Sequence, residues 1–326
     1  MNPINKCPST LTAGFTSFSK TGLKNLFSGK KVSPILPYNT PFSNAETDNF
    51  FDENIIYMSL SGVQEKFSMR LEKNKLRLIT EGEQGTYILK PIPQAGKKAD
   101  QMPANEHLTM QIAKQLFGIK TAENALIFFK DGTPAYITKR FDVAIDKSKL
   151  AQDDFASLTG KTPQTHGEHY KYEGNYLDLF LTMKKYLPAY KTESPKLLQL
   201  LIFNYLCSNG DAHLKNFSIV ETAMGDYCLS PAYDLLNTRI HVSDSDFGLA
   251  DGLLPRHLAK GKIQNQFALL AEEAEIPSLI FLGIITKMIS KSDAVQKLID
   301  ASFLNISCKK NYWQSYQKRL QLFTKK

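Results

Sequence analysis

The segment KLLQLLIFNYLCSNGDAHLKNFSIV, residues 196–220, decides how this chain is read. Its first half is apolar nearly all round, so the pattern predicts a buried helix. Ser194 is the expected N-cap, Pro195 the first helical residue, and Ser208-Asn209-Gly210 the stop. A short polar loop then presents Asp211 and Asn216 ahead of a strand at Phe217 to Val220. Asp-x-x-x-x-Asn after a helix is the spacing of a phosphotransferase catalytic loop. There the Asp accepts or orients the acceptor hydroxyl proton and the Asn carboxamide holds Mg²⁺. Mg²⁺ takes hard oxygen ligands and few protein groups, so a second carboxylate is expected one hairpin later. Asp234 in LSPAYDLL, residues 229–236, supplies it after a strand and a Pro-containing turn. The same spacing also arises from a turn Asp followed by a capping Asn, so corroboration has to come from elsewhere in the chain.

Working towards the N-terminus, Lys90 ends the strand pattern TYILK, where a kinase places the lysine that pairs with the α- and β-phosphates. Glu106, near the start of the next helix, is placed to orient such a lysine by an ion pair; singly, both read as surface charges. The loop SLSGVQEK, Ser59 to Lys66, precedes a hairpin and carries one glycine with small polar neighbours. Its backbone N–H groups could cover phosphates, although it matches neither G-x-G-x-x-G nor G-x-x-x-x-G-K-[ST]. The order loop, Lys, Glu, Asp…Asn, Asp matches the parts of a phosphoryl-transfer site.

The surrounding pattern is β-rich first and helical later. Residues 1–50 read as mostly irregular, with a short helix around Leu23 to Phe27. Phe67 to Leu71 and Leu76 to Leu78 alternate about a polar turn, Gly85 to Leu89 is a further strand, and a helix follows near Pro103 to Phe117. Asn124 to Phe129 and Ala135 to Phe141 flank Asp131-Gly132, a hairpin signal. Helices are expected at Tyr176 to Leu187 and along three apolar stripes after residue 260, with a β-like interval at Phe217 to Val220 and Tyr227 to Leu229. This predicts an α+β chain with a β-rich first lobe and a helix-rich second one, and the cleft between two such lobes is a natural ligand site.

Composition bounds the rest. With 326 residues, 42% hydrophobic and 22% charged, the chain is far from a disordered composition. Forty Lys+Arg against 32 Asp+Glu give +8, a statement about solubility and association rather than fold. Cys7, Cys207, Cys228 and Cys308 are scattered, as reduced thiols in the cytoplasm would be. No secretory signal is visible, and the apolar run Leu279 to Ile285 is too short to cross a membrane, so a soluble cytoplasmic protein is expected.

Six segments together, SLSGVQEK, ILKP, NEHLTMQIAKQLFG, KRFD, NGDAHLKNF and LSPAYD, resemble the HipA family of toxin kinases, in the same order and over most of the chain. TGLKNLFSGKKVSP near the N-terminus and the Ser59-x-Ser61-Gly62 pattern are most similar to its HipT branch, the short toxins of three-component HipBST systems. The resemblance implies a bilobal protein-kinase-like fold, with an N-lobe over 1–143 and a C-lobe over 144–326. It also implies an ATP- and Mg²⁺-dependent serine/threonine kinase that arrests bacterial growth as a type II toxin. Asp211 would be catalytic, Asn216 and Asp234 the metal ligands, and Lys90, supported by Glu106, the phosphate-binding lysine. Ser61, Gly62, Val63, Gln64 and Lys66 would belong to the phosphate loop. Lys139, Arg140 and Phe141 would lie along the adenine, Asp142 near the ribose, His213 in the catalytic loop and Tyr233 beside the nucleotide. Ser59 and Ser61 would be autophosphorylated. An aminoacyl-tRNA synthetase would be the protein substrate. A HipS-like small antitoxin and a HipB-like DNA-binding antitoxin would be the partners, so that DNA is reached only indirectly. The extra small domain that full-length HipA carries ahead of the kinase core is not expected in this chain.

Other segments carry less. His166-Gly167-Glu168-His169 reads as a surface loop rather than a zinc site, and Gln152-Asp153-Asp154 could face a protein substrate. The basic C-terminal stripe reads as a solvated helix face. Two other classes share part of the pattern: a small-molecule phosphotransferase with the same catalytic parts, and a non-catalytic basic interaction module whose binding would weaken with salt.

Overall fold

The computed structural model describes residues 4–41, 65–144, 146–243 and 245–325. Ser59, Ser61, Gly62, Val63 and Gln64 of the expected phosphate loop lie outside the described residues, and Lys66 lies inside them. The chain divides into two compact units. One takes in Met1–Gln111, Ala122–Ser148 and Lys297–Lys309; the other takes in Ile112–Thr121, Lys149–Gln296 and Lys310–Lys326.

The first unit is built on a five-stranded antiparallel sheet of β1 (Phe67–Glu72), β2 (Lys75–Leu78), β3 (Tyr87–Lys90), β4 (Asn124–Phe128) and β5 (Pro134–Lys139), in the order β2-β1-β3-β5-β4. The β1–β2 and β4–β5 pairs are hairpins closed by tight turns, whereas β1–β3 and β3–β5 pair strands that are not consecutive in the chain. The β4–β5 turn is the expected one: the Asp131 carboxylate accepts from Thr133 N–H at 2.9 Å, and Gly132 takes φ +91°, open to glycine. Phe67, Leu89 and Ile137 meet in register across β1, β3 and β5. With Met69, Tyr87 and Ile127 they form one buried face. Helix α1 (Lys20–Phe27) packs on that face with Leu26 and Phe27, joined by Phe18 just ahead of it, and Ser19 caps it by accepting from Gly22 N–H at 3.1 Å. The strand period of two then sends Lys90, the neighbour of Leu89, to the opposite face.

Helix α2 (Met102–Gln115) is buried on almost every side, including polar positions Asn105, Glu106, His107 and Thr109. His107 Nε2 lies 3.4 Å from the Ser9 carbonyl, and its Nδ1 has no hydrogen-bond partner among the described residues. Burial pulls its pKa down to about 4 from the ordinary 6.5, so the folded chain holds the ring neutral where the unfolded chain would protonate it. The unfolded state then binds more protons between those two values. Stability is complete above about pH 6.5 and falls as the pH drops towards 4, by up to about 3 kcal/mol from this residue. Urea midpoints between pH 7.5 and 4.5 should show the decline, and His107→Gln should flatten its slope.

The second unit carries a smaller antiparallel sheet, β6 (Gln152–Asp154), β7 (Ser218–Glu221) and β8 (Tyr227–Leu229), in that order. Gln152, Asp153 and Asp154 are therefore a strand paired with Val220, Ile219 and Ser218. Asp154 also caps α3 (Phe155–Leu158) by accepting from Ser157 N–H at 2.9 Å. After the short α4 (Pro163–His166) come α5 (Leu177–Tyr186), α6 (Tyr190–Leu206), α7 (Ile263–Glu273), α8 (Ser278–Ile289), α9 (Ser292–Ala301) and α10 (Ile306–Thr324). The expected start of α6 at Ser194-Pro195 is wrong: the helix begins at Tyr190 and Pro195 lies within it. Proline this near the N-terminus forfeits only one main-chain bond, to a carbonyl of the first turn. Glu193 holds that turn, accepting from Leu229 N–H at 3.2 Å and pairing with Lys196 at 2.5 Å. Helix α8, read from sequence only as an apolar run, leaves Leu279, Ile280 and Leu282 exposed. Among the described residues no helix is long and apolar enough to cross a membrane.

Candidate active site

The expected site residues fall into two groups, one in each unit. In the first unit, Lys90 Nζ stands 2.7 Å from Glu106 Oε1, with side chains only 5% and 4% exposed. Strand β3 delivers the lysine and the second turn of α2 the glutamate. Lys90 also pairs across the sheet with Tyr136, whose ring lies 5.3 Å beneath the ammonium. A buried ion pair is a weak source of stability, because desolvation offsets the Coulomb attraction. What it does provide is a lysine held in one rotamer. Asp142, also buried, is gripped by Arg140 through Nε at 3.0 Å and a second guanidinium nitrogen at 2.5 Å. Lys139 ends β5, its N–H donating to the Glu123 carbonyl at 2.7 Å.

In the second unit the loop after α6 is stitched at nearly every residue. Ser208 turns the chain out of the helix at φ +57°. Its carbonyl accepts from Thr238 Oγ1 at 3.0 Å, and the same hydroxyl accepts from Gly210 N–H at 3.0 Å. His213 N–H donates to the Asn216 side-chain oxygen at 3.1 Å, and Asn216 N–H returns a bond to the His213 carbonyl at 2.9 Å. Burial first, and the Lys171 ammonium second, pull the His213 pKa down to about 3, so its ring is neutral at working pH and supports the loop rather than carrying charge. Asp211 is half-buried at the loop's tip.

Asn216 Nδ2 lies 3.5 Å from Asp234 Oδ2. Asp234 takes φ +55°, a left-handed conformation that a non-glycine residue holds at a cost of order 1 kcal/mol or more. A preceding proline turn and the isolated bridge of Ala232 to Thr121 keep the backbone there. Asn216 turns its amide nitrogen to Asp234 and its oxygen to His213 N–H; that oxygen's second lone pair and the Asp234 carboxylate are hard-oxygen donors of the kind Mg²⁺ takes. Among the described residues no group of three or more His, Cys, Asp or Glu side chains makes another metal site. Tyr233 donates to the Lys215 carbonyl at 2.9 Å and lies 3.2 Å from Ser218 Oγ, fixing the turn against the loop that carries Asp211 and Asn216. His166 and His169 are exposed.

Sequence reasoning missed the wall beside Asp211. A cavity of about 600 Å³ is lined by Tyr172, Gly210, Asp211, Gln266 and the segment 245–253. Four main-chain bonds zip that segment to 172–177: Ala250 N–H to Tyr172, Asp251 N–H to Gly174, Tyr176 N–H to Gly252 and Leu177 N–H to Leu253. Tyr176 donates its hydroxyl to the Ala212 carbonyl at 2.7 Å and accepts from Gly248 N–H at 3.2 Å. Phe247 is packed among Tyr176, Tyr205 and Phe267. The tripeptide Asp246-Phe247-Gly248 spells the motif that carries a metal-binding Asp in protein kinases. Here it misleads: the Asp246 carboxylate is taken by Arg319 at 2.6 Å and Arg239 at 2.8 Å, while Asp234 stands beside Asn216. The Arg319 guanidinium holds the Asp246 carboxyl below the usual carboxylate range. Only the pairing of Gly248 with Ala212 could have flagged this wall, and a single glycine gives no such signal. A Cβ on Gly248 would lie 2.6 Å from the Ala212 backbone. Gly248→Ala should therefore destabilise the unit by about 1–3 kcal/mol, read as a lower urea midpoint, because backbone cannot yield as a side chain can.

Comparison with known proteins places the fold and the family. Residues 58–297 match the HipA-like C-terminal domain. A relative named as a kinase in Haemophilus influenzae is 26% identical, over 94% of this chain and 92% of its own length. Another, named as kinase Y4dM in Sinorhizobium fredii, is 28% identical over 74% of this chain, which spans 60% of that relative's length. Among solved structures, HipA of Shewanella oneidensis, in complex with HipB and operator DNA, gives a TM-score of 0.65 at 19% identity, covering 88% of this chain and 72% of that one. The Helicobacter pylori proinflammatory kinase CtkA gives 0.52 at 15% identity, covering 77% and 91%. These likenesses identify the fold as kinase-like, and with most of its length matched the chain belongs to the family of HipA-like C-terminal domains.

Proposed function

We propose that this chain is an ATP- and Mg²⁺-dependent serine/threonine protein kinase, acting in the cytoplasm as the toxin of a bacterial type II toxin–antitoxin system. The observation that carries the reading is the catalytic loop itself: Asp211 and Asn216 on one stitched loop, with Asp234 held at positive φ against Asn216. Bound Mg²⁺ and ATP would supply the phosphoryl group and the cation that neutralises its charge. Asn216 and Asp234 would hold that cation, Lys90, oriented by Glu106, would pair with phosphate, and Asp211 would take the acceptor proton. Lys139, Arg140, Phe141, Asp142 and Tyr233 would line the nucleotide. An aminoacyl-tRNA synthetase is the proposed substrate and the HipT branch the proposed position in the family. The partners would be a HipS-like and a HipB-like antitoxin, the second a role in keeping with the Shewanella neighbour's complex.

The phosphate loop would be the regulatory element. Phosphate on Ser59 or Ser61 adds about −1.5 to −2 charge, which would repel the nucleotide phosphates and switch the kinase off. The test is label transfer from γ-labelled ATP into cell extract, with phosphopeptide mapping of the chain. Incorporation into protein, with Ser59 or Ser61 modified, is expected. Label found only in small molecules would overturn the protein-kinase reading in favour of a small-molecule phosphotransferase, and unmodified serines would overturn the switch.

A further inference from the structure

Tyr172 touches both the catalytic carboxylate and the wall of the cavity beside it. Its hydroxyl donates to Asp211 Oδ1 at 2.9 Å, and its carbonyl accepts from Ala250 N–H at 2.8 Å. The ring is confined as well: His213 meets it edge-on at 5.2 Å, and the Lys171 ammonium lies 4.9 Å over its face. Tyr172 and Asp211 line the same cavity as residues 245–253. A phenol on one carboxylate oxygen, itself confined by its ring contacts and its backbone, fixes the direction in which that oxygen accepts.

We propose that this cavity is the acceptor subsite, taking a hydroxyl-bearing side chain of a protein substrate, and that Tyr172 is a positioning residue that aligns Asp211 with that hydroxyl. The proposal rests on the kinase reading above and goes beyond it by naming where the acceptor sits and what aims the base. In the step itself the acceptor oxygen forms a bond to the γ-phosphorus of ATP, and the bond from that phosphorus to the β–γ bridging oxygen breaks. ADP leaves with the electron pair, and the acceptor's proton passes to Asp211. Alignment matters because a displacement of about 1 Å at a reacting group can cost on the order of 100-fold in rate. The preformed wall suits a protein acceptor: its segment 248–253 is already hydrogen-bonded along its backbone, so it offers side-chain contacts without having to fold on binding.

The test compares wild type with Tyr172→Phe, which removes the hydroxyl and keeps the ring among His213 and Lys171. Three quantities are read on the full chain: nucleotide affinity, label transfer from γ-labelled ATP to the chain and to a degenerate serine/threonine peptide library, and ADP release to water. Tyr172→Phe should keep its melting temperature and nucleotide affinity, lose about 10- to 100-fold in kcat for transfer, and release more ADP per phosphate transferred. Transfer at the wild-type rate would overturn the proposal. So would faster transfer, which would make Tyr172 a place-holder competing with the acceptor. A fall in transfer only in proportion to lost fold would overturn it too, leaving a structural role. A wild-type chain that transfers no label at all would instead overturn the kinase reading beneath it.

Discussion

Asp211→Asn is expected to reduce phosphoryl transfer by about 100- to 10,000-fold, the range a general base contributes. The change is nearly isosteric. The amide oxygen of Asn can still accept from Tyr172, and the loop bonds made by Ser208, Gly210, His213 and Asn216 do not involve the Asp211 side chain. Melting temperature and nucleotide affinity should therefore match wild type while label incorporation is lost. The comparison that matters is the phosphoproteome of cells expressing each protein: phosphosites present with wild type and missing with Asp211→Asn identify the substrate. Transfer surviving in the variant would mean that another residue accepts the proton, and the assignment of this loop would fall. The non-catalytic alternative makes the opposite forecast, since a basic binding surface would be indifferent to Asp211→Asn and would respond to salt.

The second large effect is expected at Lys90. Removing one member of a buried ion pair leaves the other charge without its counter-ion, at a cost of about 3–5 kcal/mol. Lys90→Met should lower the urea midpoint accordingly and abolish phosphoryl transfer. The double variant Lys90→Met with Glu106→Leu puts apolar groups on both sides and should recover most of the stability, yet remain inactive. That divergence separates the two roles of the lysine. If the double variant were both stable and active, Lys90 would be a structural residue only. If Lys90→Met alone were as stable as wild type, Glu106 would have to be satisfied without the lysine, contrary to a pair at 2.7 Å and almost completely buried.

How much of this was legible in advance differs residue by residue. The β1–β2 and β4–β5 hairpins could be read because alternation and an Asp-Gly turn are local signals, complete within about ten residues. Asp211, Asn216 and Asp234 could be nominated because the loop after α6 is short and its spacing is carried by the chain itself. The start of α6 was misread because Ser-Pro is a good helix opening in isolation. Glu193 sits in the added turn and accepts from Leu229 N–H, a contact from outside the segment that no local signal carries. Strand β6 was missed because three polar residues make no alternating pattern; they become a strand only by pairing with β7.

The amino-acid sequence by itself determined the class of fold, its hairpins and most of its longer helices, and the residue types placed on the loop after α6, because each rests on periodicity, turn chemistry or spacing within one stretch of chain. Only the tertiary structure decided which carboxylate stands beside Asn216. Asp234 and Asp246 are both plausible on paper, and the two guanidiniums that claim Asp246 come from residues 239 and 319. It also decided that Tyr172 reaches Asp211 from 39 residues away and that Gly248 packs on Ala212. Those contacts depend on packing between segments distant in the chain, where neither periodicity nor spacing carries information.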